Sequence, residues 1–509
     1  MKIITRINLT IAIAFSLFLI NTSYAQEEGP SSRLEIEEII VTGTKRDIGQ
    51  QDAAIAVSAI TEQAFANQNA NDPRAIASLV PNVTLTLQPA FNAVAGGIRG
   101  TGSISILVTE DPSVAFLVDD FGLNHVQSQF IEMFDIEQIE VYRGPQGTLF
   151  GKNATGGVIS VTTKKPVLDE WSGEFSAMAG QYDWNEGSIN KFKLALNAPI
   201  VEGKVAMRIA AIWDKSQGFY TNSKPAGDFP GPIVLNPAAA WPDDGTSLSN
   251  VGDGGDLGGK DVLAAKVKLL FEPNASYSGH LIFEISKDDS GSPPTVNETD
   301  CPGGQLFCLL GFPGIHTPSP NWGGEKWSNP YATGESYHCN SVIAICKGHR
   351  MDSKGIYFNQ TFAIGDNYTL KSITGYRNHE ERNASTYTGE AFASLYDASR
   401  NTERDQMQQE FRLTSEFDGP FNFTAGVSYA EDNLNFAAYA AVGLQWFLGV
   451  PGWIHTDYSS TATHQNRTSK AYYFDFTYEI NEAWRISAGI RETEDEKQFV
   501  RETGTLGNN

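Results

Sequence analysis

Ala265-Lys266-Val267-Lys268-Leu269-Leu270-Phe271 is followed by Pro273-Asn274 and then by His280-Leu281-Ile282-Phe283-Glu284-Ile285. Apolar residues recur at alternate positions, a short turn intervenes, and the alternation resumes. Successive side chains of a strand point to opposite faces, so each segment reads as a strand with one apolar and one polar face. Together they form a hairpin. The same pattern appears in Val205, Met207, Ile209, Ala211 and Trp213, with Lys204 and Arg208 opposite. It returns in Phe411/Leu413, in Phe421/Phe423/Ala425/Val427/Tyr429, in Tyr472/Phe474/Phe476/Tyr478 and in Trp484/Ile486/Ala488/Ile490.

Soluble sandwiches alternate as well, so the connections decide the class. Short turns fall near Ile200-Val201-Glu202-Gly203, Pro273-Asn274, Gly365-Asp366-Asn367, Asp418-Gly419-Pro420 and Asn481-Glu482. Between them lie long polar stretches, 214–259, 288–353, 378–404 and 431–467. Alternating short and long connections are the habit of a transmembrane β-barrel, whose strands need about nine to eleven residues to cross hydrocarbon. About eleven such strands precede Glu496, and the chain is expected to end in a polar tail from Gly504 to Asn509. Trp171, Trp213, Trp446, Tyr473 and Trp484 are candidates for an interfacial girdle.

The N-terminus reads as a secretory signal. Lys2 and Arg6 supply the positive end, 7–20 the apolar run, and Ser23-Tyr24-Ala25 a small-x-small cleavage site. The formal charge of −23 argues against nucleic acid as a partner, because phosphates select for basic stripes. Cys301/Cys308 and Cys339/Cys346 share one spacing, which favours two local disulfides over a crossed pairing or a metal site. Asp243, Asp244, Asp253, Asp256 and Asp261 lack the order of an EF-hand loop, and no metal ligand set or cofactor site is expected.

Residues 49–166 have a different texture, that of a compact α+β domain. Short apolar strands at 55–60, 115–118, 139–142 and 157–162 mix with helix-like pieces at 61–67 and 73–78. The Gly-rich run Arg143-Gly144-Pro145-Gln146-Gly147 through Gly156-Gly157 contains no phosphate-loop motif, so tight turns between strands are the expectation. No G-x-S-x-G or H-E-x-x-H is present, and no enzyme activity is expected.

Seven ordered pieces carry a resemblance. Glu37-Glu38-Ile39-Ile40-Val41-Thr42-Gly43-Thr44-Lys45-Arg46 resembles the TonB box and its flank in TonB-dependent outer-membrane receptors. Val57-Ser58-Ala59-Ile60-Thr61, Leu79-Val80-Pro81-Asn82-Val83, Ile98-Arg99-Gly100, Val118-Asp119-Asp120 and Arg143-Gly144-Pro145-Gln146-Gly147 resemble plug motifs in family order. Gln409-Glu410-Phe411-Arg412-Leu413 is similar to a barrel strand of that family.

The resemblance implies an α+β plug domain inside a transmembrane antiparallel β-barrel, with about eleven of twenty-two strands present. It divides the chain into a signal peptide (1–25), a TonB-box segment (26–48), a plug domain (49–166) and an incomplete barrel (167–509). The implied activity is TonB-dependent uptake across the outer membrane of a Gram-negative bacterium, first of a ferric siderophore and next of an organic nutrient such as an oligosaccharide. A passive porin or adhesin barrel and a secreted β-rich enzyme are the readings from other classes; the separate domain at 49–166 argues against the porin. Implied partners are TonB at Ile36, Glu37, Glu38, Ile39, Ile40, Val41 and Thr42, outer-membrane lipid around a monomeric barrel, and a small iron chelate. Arg99 and Arg143 are the implied plug arginines, with Glu410 a candidate barrel partner in a reversible latch. Phe91, Asn92, Ser103, Asn124, His125, Trp322, Trp327 and Trp446 are the candidate ligand contacts.

Overall fold

The structure is a computed structural model. It describes residues 40–41, 45, 48–49, 53, 55–68, 71–88, 93–103, 107–129, 131–183, 187–217, 220–221, 256–257, 259–290, 349–386, 396–442, 458–481 and 483–506. The expected signal peptide at 1–25, Ile36–Ile39, Thr42, the four cysteines, Phe91, Asn92, Trp322, Trp327 and Trp446 lie outside the described residues.

Strand β1 (Ile40–Val41) pairs antiparallel with β2 (Ile48–Gly49). The α+β domain follows. It comprises β3 (Val57–Thr61), α1 (Glu62–Ala66), α2 (Arg74–Leu79), β4 (Val83–Gln88), β5 (Ala93–Ile98) and β6 (Thr101–Ser103). It continues with β7 (Val114–Val118), β8 (Phe121–Gly122), β9 (Ile136–Arg143), α3 (Gly147–Phe150) and β10 (Gly157–Thr163). The main sheet has five strands in the order β3-β9-β10-β7-β8, and β4-β5-β6 form a second. Thr61 ends β3 and starts α1, its hydroxyl accepting the Ala64 N–H at 3.3 Å as an N-cap. The Gly-rich run is the turn system between β9 and β10, with Gly144 at φ 107° and Gly151 at φ 81°, conformations that L side chains resist.

The second architecture is one antiparallel sheet of eleven strands. It runs from β11 (Ser172–Gln181), β12 (Ser188–Val201) and β13 (Val205–Ser216) to β16 (Lys260–Asn274) and β17 (Tyr277–Asp288). It then takes in β18 (His349–Ile364), β19 (Tyr368–Thr386), β20 (Tyr396–Ser415), β21 (Phe421–Val442), β22 (Tyr458–Asn481) and β23 (Trp484–Leu506). A short pair, β14 (Tyr220–Thr221) and β15 (Asp256–Leu257), stands in the connection after β13. No helix among the described residues is long and apolar enough to cross a membrane.

The alternation sorts as the sequence implies. Lys266 and Lys268 are buried on the face toward the α+β domain, while Leu263, Phe271, Phe283, Ile285, Ile356, Phe411, Val427 and Ile486 stay exposed on the other face. A sheet with charge inside and a contiguous apolar surface outside is arranged for lipid. Trp171 and Trp484 belong to that outer surface, at 76% and 70% exposed. Tyr473 does not; it is turned inward and buried.

The strands are longer than expected. Those from β20 to β23 have 20, 22, 24 and 23 residues, so the stretches 378–404 and 431–467 are largely strand, and β23 takes in Gly504 to Leu506 of the expected tail. Beyond the apolar band both faces of a strand are polar, and the period-two signal that marks it disappears.

Candidate functional site

The α+β domain meets the sheet along its polar face, from β12 to β23, through two apolar contact regions and three charged ones. In one apolar region Phe134 packs on Ala195, Ala210, Ile212 and Ala264; in the other Phe121 packs its ring 4.8 Å from that of Tyr357 on β18. Gly375 on β19 makes the space, since a Cβ there would collide with Phe121. Ile282 and Tyr357 thereby join the core formed by Ile76, Ile98, Phe116, Met133, Ile139 and Ile159.

The first charged region holds the N-terminal segment. Lys45, left-handed at φ 59°, places Nζ 2.7 Å from Glu410 Oε1 on β20. The same oxygen accepts from Tyr473 Oη at 2.7 Å and from Arg412 at 2.9 Å. The Lys45 ammonium lies 5.4 and 5.0 Å from the ring centroids of Phe150 and Tyr473, within cation–π range. Burial, helped by the Arg412 charge and opposed by Glu410, holds its pKa down to about 8. Val41, in the strand just before it, is completely buried.

The second region is Asp135, also left-handed at φ 54°, between Arg208 of β13 at 2.5 Å and Lys268 of β16 at 3.0 Å. Burial raises the Asp135 pKa, but Arg208 and Lys268 outweigh it and hold the carboxyl below its ordinary range. Lys268 also donates to the Lys164 carbonyl at 2.6 Å, so none of its surface is exposed.

The third region uses the segment between β6 and β7. Arg467 and Lys152 reach Asp111 at 2.7 and 3.0 Å. Arg404, braced by Asp432 at 2.8 Å, donates to the Val108 carbonyl at 2.7 Å. Between the first and third regions a cavity of about 110 Å³ is lined by Lys45, Asn124, Gln408, Arg412, Arg467 and Arg491 among others.

The expected site residues are distributed unevenly over this geometry. Glu410 sits at the interface, but Arg99 and Arg143 are not its partners. Arg99 is exposed in a left-handed turn, and Arg143 ends β9 half-buried; among the described residues neither forms an ion pair. Their place is taken by Lys45 and Arg412. The reason is topological: Lys45, between β1 and β2, lies against β20, while Arg99 follows β5 in its turn and Arg143 closes β9. Ser103 ends β6, and Asn124 lines the cavity. His125 is buried, with Nε2 directed at the Val108 carbonyl, and burial together with Arg404 lowers its pKa well below the usual imidazole value. Lys45, Asp111 and Asp135 escaped sequence reading, because a buried lysine or aspartate has the same one-letter surroundings as a solvated one.

A profile described as TonB-dependent Receptor Plug Domain matches residues 49–158. The ferric enterobactin receptor of Pseudomonas aeruginosa is 27% identical over 237 residues, covering 42% of this chain and 31% of that protein. A probable TonB-dependent siderophore receptor, PirA, of Acinetobacter baumannii is 27% identical over 37% of this chain and 26% of its own length. The chain thus spans about a third or less of these relatives. Among solved structures, the ferric yersiniabactin uptake receptor FyuA from Yersinia pestis superposes with a TM-score of 0.64 at 16% identity, over 89% of this chain and 58% of that one. The ferripyoverdine receptor of the outer membrane of P. aeruginosa gives 0.61 at 12% identity, over 92% and 56%. Residues 49–158 thus form a TonB-dependent receptor plug domain, seated against the charged face of an antiparallel sheet whose other face is apolar, and the described residues share the fold of these outer-membrane receptors.

Proposed function

We propose that this receptor takes up a ferric siderophore across the outer membrane, using energy delivered by TonB from the periplasm. The observation that carries the reading is the Lys45–Glu410 contact, which ties the segment carrying the TonB-box resemblance to the inner wall beside the plug. The names of the relatives, a ferric enterobactin receptor and a siderophore receptor, support the choice of cargo. No chemical reaction is assigned, since a chelate brings its own iron ligands.

TonB contacts Ile36–Thr42 by adding a strand, for which β-branched Ile39, Ile40 and Val41 are suited. Val41 is buried and Ile40–Val41 is already paired with Ile48–Gly49, so capture requires this small pair to open. Glu410 is the barrel half of the latch, and Lys45, in the segment before the plug, is the other half. Export depends on the signal at 1–25, and Cys301–Cys308 and Cys339–Cys346 are the proposed disulfides.

Uptake of radioactive iron from a ferric siderophore, measured in cells with and without this gene and with and without TonB, tests the function. Uptake that requires both supports it. Solute entry that needs the gene and is indifferent to TonB replaces it with the passive porin reading.

A further inference from the structure

Glu132 is carried into the seam between plug and sheet by the residues that follow it. The Met133 N–H donates to the Asn71 carbonyl at 2.5 Å, Phe134 packs on Ala195, Ala210, Ile212 and Ala264, and Asp135 is bound by Arg208 and Lys268. With these neighbours fastened, the Glu132 side chain cannot leave the seam while the plug is seated. Its Oε2 is shut off from solvent and accepts no hydrogen bond, and among the described residues Glu132 forms no ion pair. The rest of the side chain is half-buried, which leaves a proton a way in and out.

The surroundings explain why the carboxyl has no partner. Asp72 and Arg74 face it from the plug, Lys193 from β12, Asp214 from β13, Lys260 from β16 and Asp288 from β17. Arg74 is engaged by Asp72 at 2.7 Å, and Lys260 lies 3.6 Å from Asp214, which Lys191 also reaches at 3.4 Å. Lys193 stops short of an ion pair, and Asp288 faces His349 at 3.5 Å. A charged Glu132 would therefore stand among three other carboxylates with Oε2 unsolvated, and burying such a charge is costly. The neutral acid avoids that cost. A proton, unlike an ion or a solute, needs no cavity.

We infer that Glu132 is a proton site coupled to the seating of the plug: the seated plug holds this carboxyl as the acid, and lifting the plug lets it ionise. Burial, opposed by Lys260 and reinforced by Asp288, Asp214 and Asp72, raises its pKa from 4.5 to about 7. The seated state binds more protons between those values, so seating takes up a proton and is favoured in acid. It weakens as pH rises from 4.5 to about 7, by at most about tenfold per pH unit, and this group adds no slope above that window. Asp214, Lys260 and Asp288 stand where β13, β16 and β17 meet the long connections, so the proton exchanges on the outer side.

The test uses the full chain in lipid vesicles, native and Glu132→Gln, followed by infrared spectroscopy from pH 4.5 to beyond 7. The native protein is expected to show the carbonyl stretch of an un-ionised carboxylic acid that Glu132→Gln lacks, fading through about pH 7. Lys260→Met is expected to move the fading to higher pH and Asp288→Asn to lower pH, opposite shifts that a loss of packing would not produce. In denaturant titrations the unfolding equilibrium of Glu132→Gln is expected to gain on the native one by up to about tenfold per pH unit across the window and to stay level above it. The proposal is overturned if the two spectra share every such band, if the band does not fade with pH, or if the two neighbouring substitutions fail to shift it in opposite directions. Lower stability of Glu132→Gln at every pH also overturns it, because that makes the charged carboxylate structural. Should Glu132→Gln fail to fold, the band of the native protein and its displacement in Lys260→Met and Asp288→Asn decide in the same way.

Discussion

Lys45 and Glu410, 365 positions apart, meet at 2.7 Å in a buried ion pair that Arg412 and Tyr473 complete. Removing the carboxylate strands Lys45 and leaves Arg412 only Asp120, at 3.4 Å, whereas removing the lysine leaves Glu410 two partners. Glu410→Gln is therefore expected to lower stability by about 3–5 kcal/mol. Lys45→Met is expected to cost about 1–3 kcal/mol. Denaturant unfolding of the purified variants gives the order, and equal losses would contradict the network described.

The same lysine sets a pH dependence. Its pKa is about 8 when docked and ordinarily 10.5, so the undocked segment binds more protons between those values. Docking consequently strengthens as pH rises from about 8 to 10.5, by at most about tenfold per pH unit for one proton, and is flat below that window. A spin label near Gly49 reports the docked fraction directly. Lys45→Met is expected to abolish the slope.

Asp135→Asn isolates charge from backbone, because asparagine also tolerates the left-handed conformation. It leaves Arg208 and Lys268 unneutralised and is expected to destabilise the receptor by about 3–5 kcal/mol. In the native protein the Asp135 carboxyl is held below its ordinary range, so its stabilisation is present above the unfolded carboxylate pKa. It is lost as pH falls through the lower folded value. Acid titration of thermal stability, native against Asp135→Asn, checks both points.

Phe283 and Glu284 are neighbours on β17 with opposite fates. Phe283 is 42% exposed on the apolar face and Glu284 pairs with Lys266 at 3.3 Å inside. Phe283→Arg is expected to cost about 2–4 kcal/mol near the bilayer midplane. Folding yield into vesicles measures it; an unaffected yield would remove this face from the lipid.

The strands were legible where one face had to be apolar. Lys266, Val267, Lys268 and Leu269 state their directions in one line of text, because lipid on one side and a charged lumen on the other force the alternation. Arg400, Thr402, Arg404 and Gln406 state nothing of the kind, so by sequence alone part of β20 looks like a loop. In the plug, the Thr61 cap and the Gly144 turn were readable because backbone geometry selects those residue types locally. The Lys45–Glu410 pair was not, since a contact across the whole receptor leaves no spacing behind it. Glu410 was found by motif, but its partner followed from where β1 and β2 carry the chain.

Lys45, Asp119, Asp120 and Asp135 all have positive φ, from 50° to 70°, and all four touch the barrel wall. For residues other than glycine this conformation stores on the order of 1–3 kcal/mol each. These corners are bent by the plug itself: Asp119 and Asp120 are the two-residue turn of the β7–β8 hairpin, and the Asp135 carbonyl accepts the Lys164 N–H. The plug therefore carries its fastening points ready-shaped, and freeing it breaks ion pairs and hydrogen bonds without refolding the corners that bear them.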